Sequence, residues 1–154
     1  MNFSTGQQLL VQKEFGKALE VFLNLKKSFN KNNEILFYLG LIYFELNDFK
    51  NSIYYYKKFL KKAPNSILGL YKLALAEQSI GEIDAAKNIY SKLIEIDKNK
   101  VRPYYGLFTL NPKYLDDNKF KTILDIKNNH KHSLFEEGII NFLLSKREQK
   151  NENY

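Results

Sequence analysis

The sequence predicts an all-α fold in which pairs of helices repeat about every 34 residues and stack in series. Two observations carry that prediction. Slid against itself by one period, the chain brings Phe22, Tyr56 and Tyr90 into one column, Ala18, Ser52 and Ala86 into another, and Phe15, Phe49 and Ile83 into a third. Leu39-Gly40 falls on Leu73-Ala74, and Gly6 falls on Gly40. Within each period, apolar residues recur at helical spacing in two runs separated by a turn signal. The composition supplies what such a stack needs: 44% apolar residues and 15% aromatics, with only three prolines and seven glycines in 154 residues. That is material for a packed core and not for a disordered chain.

The elements follow in order, as one domain over residues 1–154. The first repeat, 1–32, opens on a short helix that holds Gly6. In the second, 33–66, a helix from Asn33 to Leu46 carries Leu36, Leu39, Tyr43 and Leu46 at helical spacing, and Asn47-Asp48 supplies a turn and an N-cap. The next helix sets Phe49, Ile53, Tyr56 and Leu60 on one face and Lys50, Asn51, Lys57, Lys58 and Lys61 on the other. It ends before Pro64, which cannot continue a helix. The third repeat, 67–100, repeats the plan with Ile80-Gly81-Glu82 as its turn and Asp97 to Asn99 as its exit.

After residue 100 the pattern weakens. In residues 101–130 a helix beginning at Pro103 is cut by Asn111-Pro112, which starts another, and a second helix around Phe120 to Ile126 lacks the small residue. From Leu134 to Leu144 the chain again resembles the opening helix of a repeat, with Gly138 in the glycine place. It forms a terminal capping helix within 131–148.

The stretch LFYLGLIYFELNDFKNSIYYYKKFLKKAPN, residues 36 to 65, resembles a tetratricopeptide repeat. It has the large apolar first residue, the Leu-Gly pair, the aromatic three residues later, the acidic-aromatic turn, a small residue in the second helix and the closing proline. The resemblance implies a right-handed solenoid of antiparallel helix pairs: about three repeats, a degenerate fourth and a C-terminal helix. First helices then line a concave face and second helices the convex one. Two departures stand out. Leu25, Phe59 and Leu93 occupy a column where the family usually has alanine, and Glu77 sits where Tyr43 predicts another ring. That glutamate is either exposed or hydrogen-bonded.

The first helix of the second repeat is apolar on more than one side, so it is either fully buried or presents a binding face. Leu36, Leu39, Tyr43 and Leu46 form one stripe; Phe37, Leu41 and Phe44 form another. Equivalent positions give Phe3, Tyr71 and Tyr105 beside Phe37, and Leu75 beside Leu41, with Gln7 and Gln78 on the same helices. The resemblance implies that these residues face the concave groove. First helices packed about 10 Å apart match the roughly 10.5 Å between residues i and i+7 of a bound helix better than the spacing of an extended strand. The expected partner is therefore another protein, held through an amphipathic helix or apolar segment. Two alternatives stay open: the same aromatics serve plain packing between repeats, or the terminal helix folds back over them. Repeat domains that clamp acidic tails use basic groove residues. Here those sites are Phe3, Gln7, Tyr38, Leu41 and Leu68, with only Lys72 basic, which argues against such a clamp.

The charge of +7 and pI near 9.3 invite a second reading, electrostatic binding of nucleic acid or anionic membrane. The densest basic face is Lys57, Lys58, Lys61 and Lys62, whose plainer role is solubility. Only Arg102 and Arg147 accompany the lysines, and arginine is the residue that reads bases and grips phosphate bidentately; this argues against a nucleic-acid partner. A third reading is a structural subunit that self-associates through its ends. With no cysteine, thiolate metal sites and cysteine nucleophiles are excluded. The pair His130 and His132, beside Glu136 and Glu137, reads as a solvated hinge, and Asp116-Asp117 as a turn or N-cap, so neither catalysis, cofactor nor metal is expected. The run Ile35 to Phe44 is far shorter than the roughly 20 apolar residues that span a bilayer, and the sequence reads as a cytoplasmic protein.

Overall fold

A computed structural model describes residues 2–29 and 32–152, with the side chains of the last three left out. The expected junction of the first and second repeats, at residues 30 and 31, lies outside the described residues. Every regular element among the described residues is a helix, and the fold is all-α. The chain divides into two compact units, Met1–Glu82 and Ile83–Tyr154.

The first unit contains α1 (Phe3–Val11), α2 (Phe15–Ser28), α3 (Asn33–Glu45), α4 (Phe49–Lys62) and α5 (Ile67–Ser79). Each helix packs on the next in the chain, and α3 also meets α5. Polar caps set the starts. Asn2, Asn32, Asp48 and Ser66 each accept a backbone N–H from the first turn of α1, α3, α4 and α5 respectively.

The ends of the first helices repeat as closely as the starts. Lys13, Asn47 and Gly81 all adopt left-handed backbone, with φ of 60°, 59° and 81°. The following amides return to the last helical turn in the same way each time: Glu14 to Leu9, Asp48 to Tyr43 and Glu82 to Glu77, at 2.8, 2.8 and 3.0 Å. These are Schellman closures, in which one left-handed residue lets two amides satisfy carbonyls the helix would otherwise orphan. After α1 and α3 they turn the chain back so that α2 packs on α1 and α4 on α3.

Close approach at the crossing points comes from small residues. The ring of Tyr56 lies where a Cβ on Gly40 would stand, 2.7 Å from its nearest carbons. The Ser52 hydroxyl, fully buried, donates to the Gly40 carbonyl at 2.8 Å. Ala18, Phe22, Leu39, Ser52 and Tyr56 are all inaccessible to solvent, so the columns found in the sequence are the core of this unit.

The second unit contains α6 (Ile83–Ile96), α7 (Val101–Leu110), a single 3-10 turn at Pro112–Tyr114, α8 (Asp117–Asn129) and α9 (Leu134–Glu152). Helix α7 packs on α6, and α9 packs on both α7 and α8. Tyr90, Tyr104, Leu107, Ile123, Ile140 and Leu143 fill the core. Here the structure refines the sequence reading, first because α7 starts at Val101 and not at Pro103. Pro112 opens only a one-turn 3-10 helix, where the Asn111 side chain accepts the Lys113 amide, and α8 starts separately at the Asp116 cap, which takes the Lys119 amide at 2.9 Å. Gly138 is not pressed by a neighbouring ring, for nothing lies within 4 Å of a Cβ placed there. The terminal helix starts instead on a capping box, with Ser133 and Glu136 exchanging backbone bonds.

Candidate functional site

Within the first unit, the sequence-nominated residues Phe3, Gln7, Phe37, Leu41, Phe44, Tyr71, Leu75 and Gln78 lie on α1, α3 and α5, and all are half-buried. Their surroundings differ. Phe3 sits edge-on to Phe22 and Tyr38, at 5.3 and 5.2 Å, and the Gln7 amide donates to the Tyr38 hydroxyl at 2.8 Å. Tyr38 itself stacks on Phe22 at 5.0 Å. These contacts tie α1 and α2 to α3. Phe44 lies edge-on to Phe49, 5.3 Å away. Tyr105 belongs to the second unit, where its ring meets Phe142 of α9 at 5.9 Å.

Phe37 stands apart because it borders open space. Its ring is 5.8 Å from Tyr56 and 5.4 Å from Phe59, and it lines a cleft of about 290 Å³ with Glu34, Tyr38, Phe59, Ser66 and Leu68. Three parts of the chain build this cleft: the first turns of α3, the last turn of α4, and the start of α5. Rings form its floor, Leu68 projects from its wall with 55% of its surface exposed, and Glu34 is exposed on its rim.

Phe59 is the residue the sequence reading undervalued. It occupies the column where the family has alanine, and its bulk is accommodated because residue 69 is glycine. A Cβ on Gly69 would lie 2.6 Å from a ring carbon of Phe59. The large residue on α4 and the missing side chain on α5 are one fit, and together they hold the Phe59 ring against Phe37. The signal was present in the sequence as two separate oddities, a phenylalanine at an alanine position and a glycine in the first turn of a helix.

The basic face is less uniform than its sequence suggests. Lys57 reaches Glu77, whose carboxylate is buried on α5, at 2.7 Å. This resolves the ambiguous glutamate as ion-paired and gives the exposed Lys57 a carboxylate partner. Lys58 lies 4.4 Å over the ring of Tyr54. Lys61 and Lys62 are exposed.

Among the described residues no group of three or more His, Asp or Glu is placed to hold a metal ion, and no helix is long and apolar enough to cross a membrane. His132 turns back to the His130 carbonyl at 2.9 Å, and His130 lies 3.8 Å from Asp125.

Comparison with known proteins adds two kinds of finding. Residues 33–66 and 69–100 each match a family model of the tetratricopeptide repeat. The chain is similar in fold to a crystal structure of MamA, with a TM-score of 0.73 and 20% identity over 99% of this chain and 88% of that one. The first repeat domain of Spaghetti (RPAP3), bound to the HSP90 peptide SRMEEVD, gives 0.67 and 14% identity over 71% and 87%. The Sgt2 repeat domain from Aspergillus fumigatus gives 0.63 and 21% identity over 71% and 74%. No curated protein matches the chain.

Proposed function

Since the two matched segments make the chain a tetratricopeptide repeat protein, a module of protein–protein interaction, we propose that it holds an apolar or amphipathic helical segment of a partner protein against the first-helix face of residues 1–82. The observation that carries this reading is the cleft of about 290 Å³ floored by Phe37, Tyr38 and Phe59 and walled by Leu68. Apolar surface kept in contact with water is the ordinary mark of a site that buries a partner's side chain. Leu41, Phe44, Tyr71 and Leu75 extend the face along α3 and α5, and a bound helix would meet them through residues spaced i, i+3 and i+7. In such a complex one partner side chain enters the cleft as the anchor, and the half-buried neighbours exclude water around it.

The Spaghetti domain, similar in fold, holds the HSP90 peptide SRMEEVD, in which three of the last four residues are acidic. Glu34 on the rim of this cleft opposes such a ligand, and Lys72 is the one basic residue on α5. An apolar segment fits the lining better.

The test is capture of partners from native lysate at high salt, with wild type compared with Leu68→Glu. Leu68 is largely exposed, so this variant should keep the wild-type melt. A protein retained by wild type and lost from the folded variant supports the reading. Equal retention by both overturns it.

A further inference from the structure

The face formed by α2 and α4 carries a cluster that the groove does not use. Lys26 reaches across from α2 to α4, where its ammonium donates to the Tyr55 hydroxyl at 3.1 Å and lies 4.8 Å over that ring. Lys58, one turn beyond Tyr54, covers the Tyr54 ring at 4.4 Å, and Tyr54 stands edge-on to Tyr55 at 5.1 Å. Lys61 follows on the same side of α4. No carboxylate among the described residues pairs with Lys26, Lys58 or Lys61. Cation–π contact offsets only part of the repulsion among them.

The Tyr54 hydroxyl registers the resulting field. It is held below the ordinary phenol value, first by a hydrogen bond from Lys58, then by the charge of Lys58, with Lys26 and Lys61 adding to it. Three ammonium groups therefore act on one exposed oxygen.

We propose that this face is a second interaction surface, which docks an acidic protein segment through Lys26, Lys58 and Lys61 with the exposed hydroxyl of Tyr54 as an additional donor. Carboxylates suit it for two reasons. One bound at Lys58 accepts from the ammonium and the Tyr54 hydroxyl together, and each one bound relieves the repulsion of the unpaired cluster. Other polyanions fit less well. Single-stranded nucleic acid needs open aromatic faces on which bases stack, but Tyr55 is stacked on Tyr43 at 5.4 Å and bridged by Lys26, and Tyr54 is covered by Lys58. An anionic bilayer rewards apolar side chains that insert at the headgroups, and the exposed residues of α4 are Lys50, Asn51, Tyr54, Lys57, Lys61 and Lys62.

The experiment titrates the full chain into a fluorescein-labelled octaglutamate peptide at low ionic strength and follows anisotropy. Binding is expected to weaken about tenfold as salt rises to physiological strength. Lys58→Glu/Lys61→Glu, both surface changes, should lose about tenfold or more with an unaltered melt, whereas Leu68→Glu should bind as wild type does. Parallel titrations use a thymidine oligonucleotide and phosphatidylserine vesicles. No binding of octaglutamate, binding indifferent to the two lysines, or tighter binding of either rival probe through the same lysines would overturn the proposal.

Discussion

The carboxylate of Glu77 on α5 lies 2.7 Å from the ammonium of Lys57 on α4. The two ends of this pair live in different media, for the glutamate side chain is 4% exposed and the lysine 58%. Losing the lysine strands a desolvated charge, whereas replacing both by apolar side chains strands nothing. Lys57→Met should therefore cost about 2 kcal/mol, below the full cost of breaking a buried pair because water reaches the lysine side. Lys57→Met/Glu77→Leu should recover at least half of that loss. Denaturant midpoints of the singles and the double decide it, and a Lys57→Met midpoint equal to that of wild type removes the pair from the stability argument.

The turn column yields a second prediction. Lys13, Asn47 and Gly81 share a left-handed conformation, and only glycine adopts it without a steric cost. Lys13→Gly is expected to stabilise the chain by about 1 kcal/mol, and Gly81→Val to destabilise it by at least that much. Thermal melts with opposite shifts for the two substitutions are the expected outcome. Shifts of the same sign mean that the closures do not limit stability.

Much of the fold was legible because one volume recurs: a ring from Phe22, Tyr56 or Tyr90 has the same column and zero exposure each time. Local chemistry marked the helix starts, so Asp48 and Asp116 were readable as caps. The unread parts are those decided by residues distant in sequence. Whether Glu77 was buried depended on Lys57, and whether Phe59 could replace alanine depended on Gly69. Phe37 was nominated for the groove, but the cleft beside it exists only once α4 and α5 are brought together. Pro112 marked a helix start but not its length, because a proline suits the first turn of an α-helix and a single 3-10 turn equally well.

Burial of tyrosine supplies a third prediction. The Tyr56 hydroxyl is buried with no hydrogen-bond partner, and burial, with some help from Glu45, raises its pKa well above the ordinary 10.0. Phe22 fills the same column one repeat earlier without a hydroxyl. Tyr56→Phe should thus be neutral or stabilising by up to about 1 kcal/mol. Tyr104, whose hydroxyl donates to the Lys98 carbonyl at 2.9 Å, is also pushed up by burial, to about 12. A raised phenol favours the folded state fully below its unfolded pKa near 10. That contribution is lost as pH climbs towards the folded value, since the unfolded chain releases its proton first. Melting temperatures should fall between about pH 10 and 12, and less steeply in Tyr56→Phe/Tyr104→Phe. Parallel curves for variant and wild type would locate the alkaline sensitivity elsewhere.

The fit of Phe59 to Gly69 joins stability to the cleft. A methyl group on residue 69 would lie 2.6 Å from the ring, and the ring has Phe37 5.4 Å away on the cleft side, so it must move into the cleft or distort α5. Gly69→Ala should cost about 1–2 kcal/mol through overpacking, even though alanine is the better helix former. Phe59→Ala alone leaves a void and costs about 3 kcal/mol. The double variant should cost less than the sum of the two by about 0.5 kcal/mol or more, because alanine at 59 makes room for the methyl at 69. Denaturant unfolding of the four proteins measures that coupling, and additive losses would mean that the two residues do not share one space.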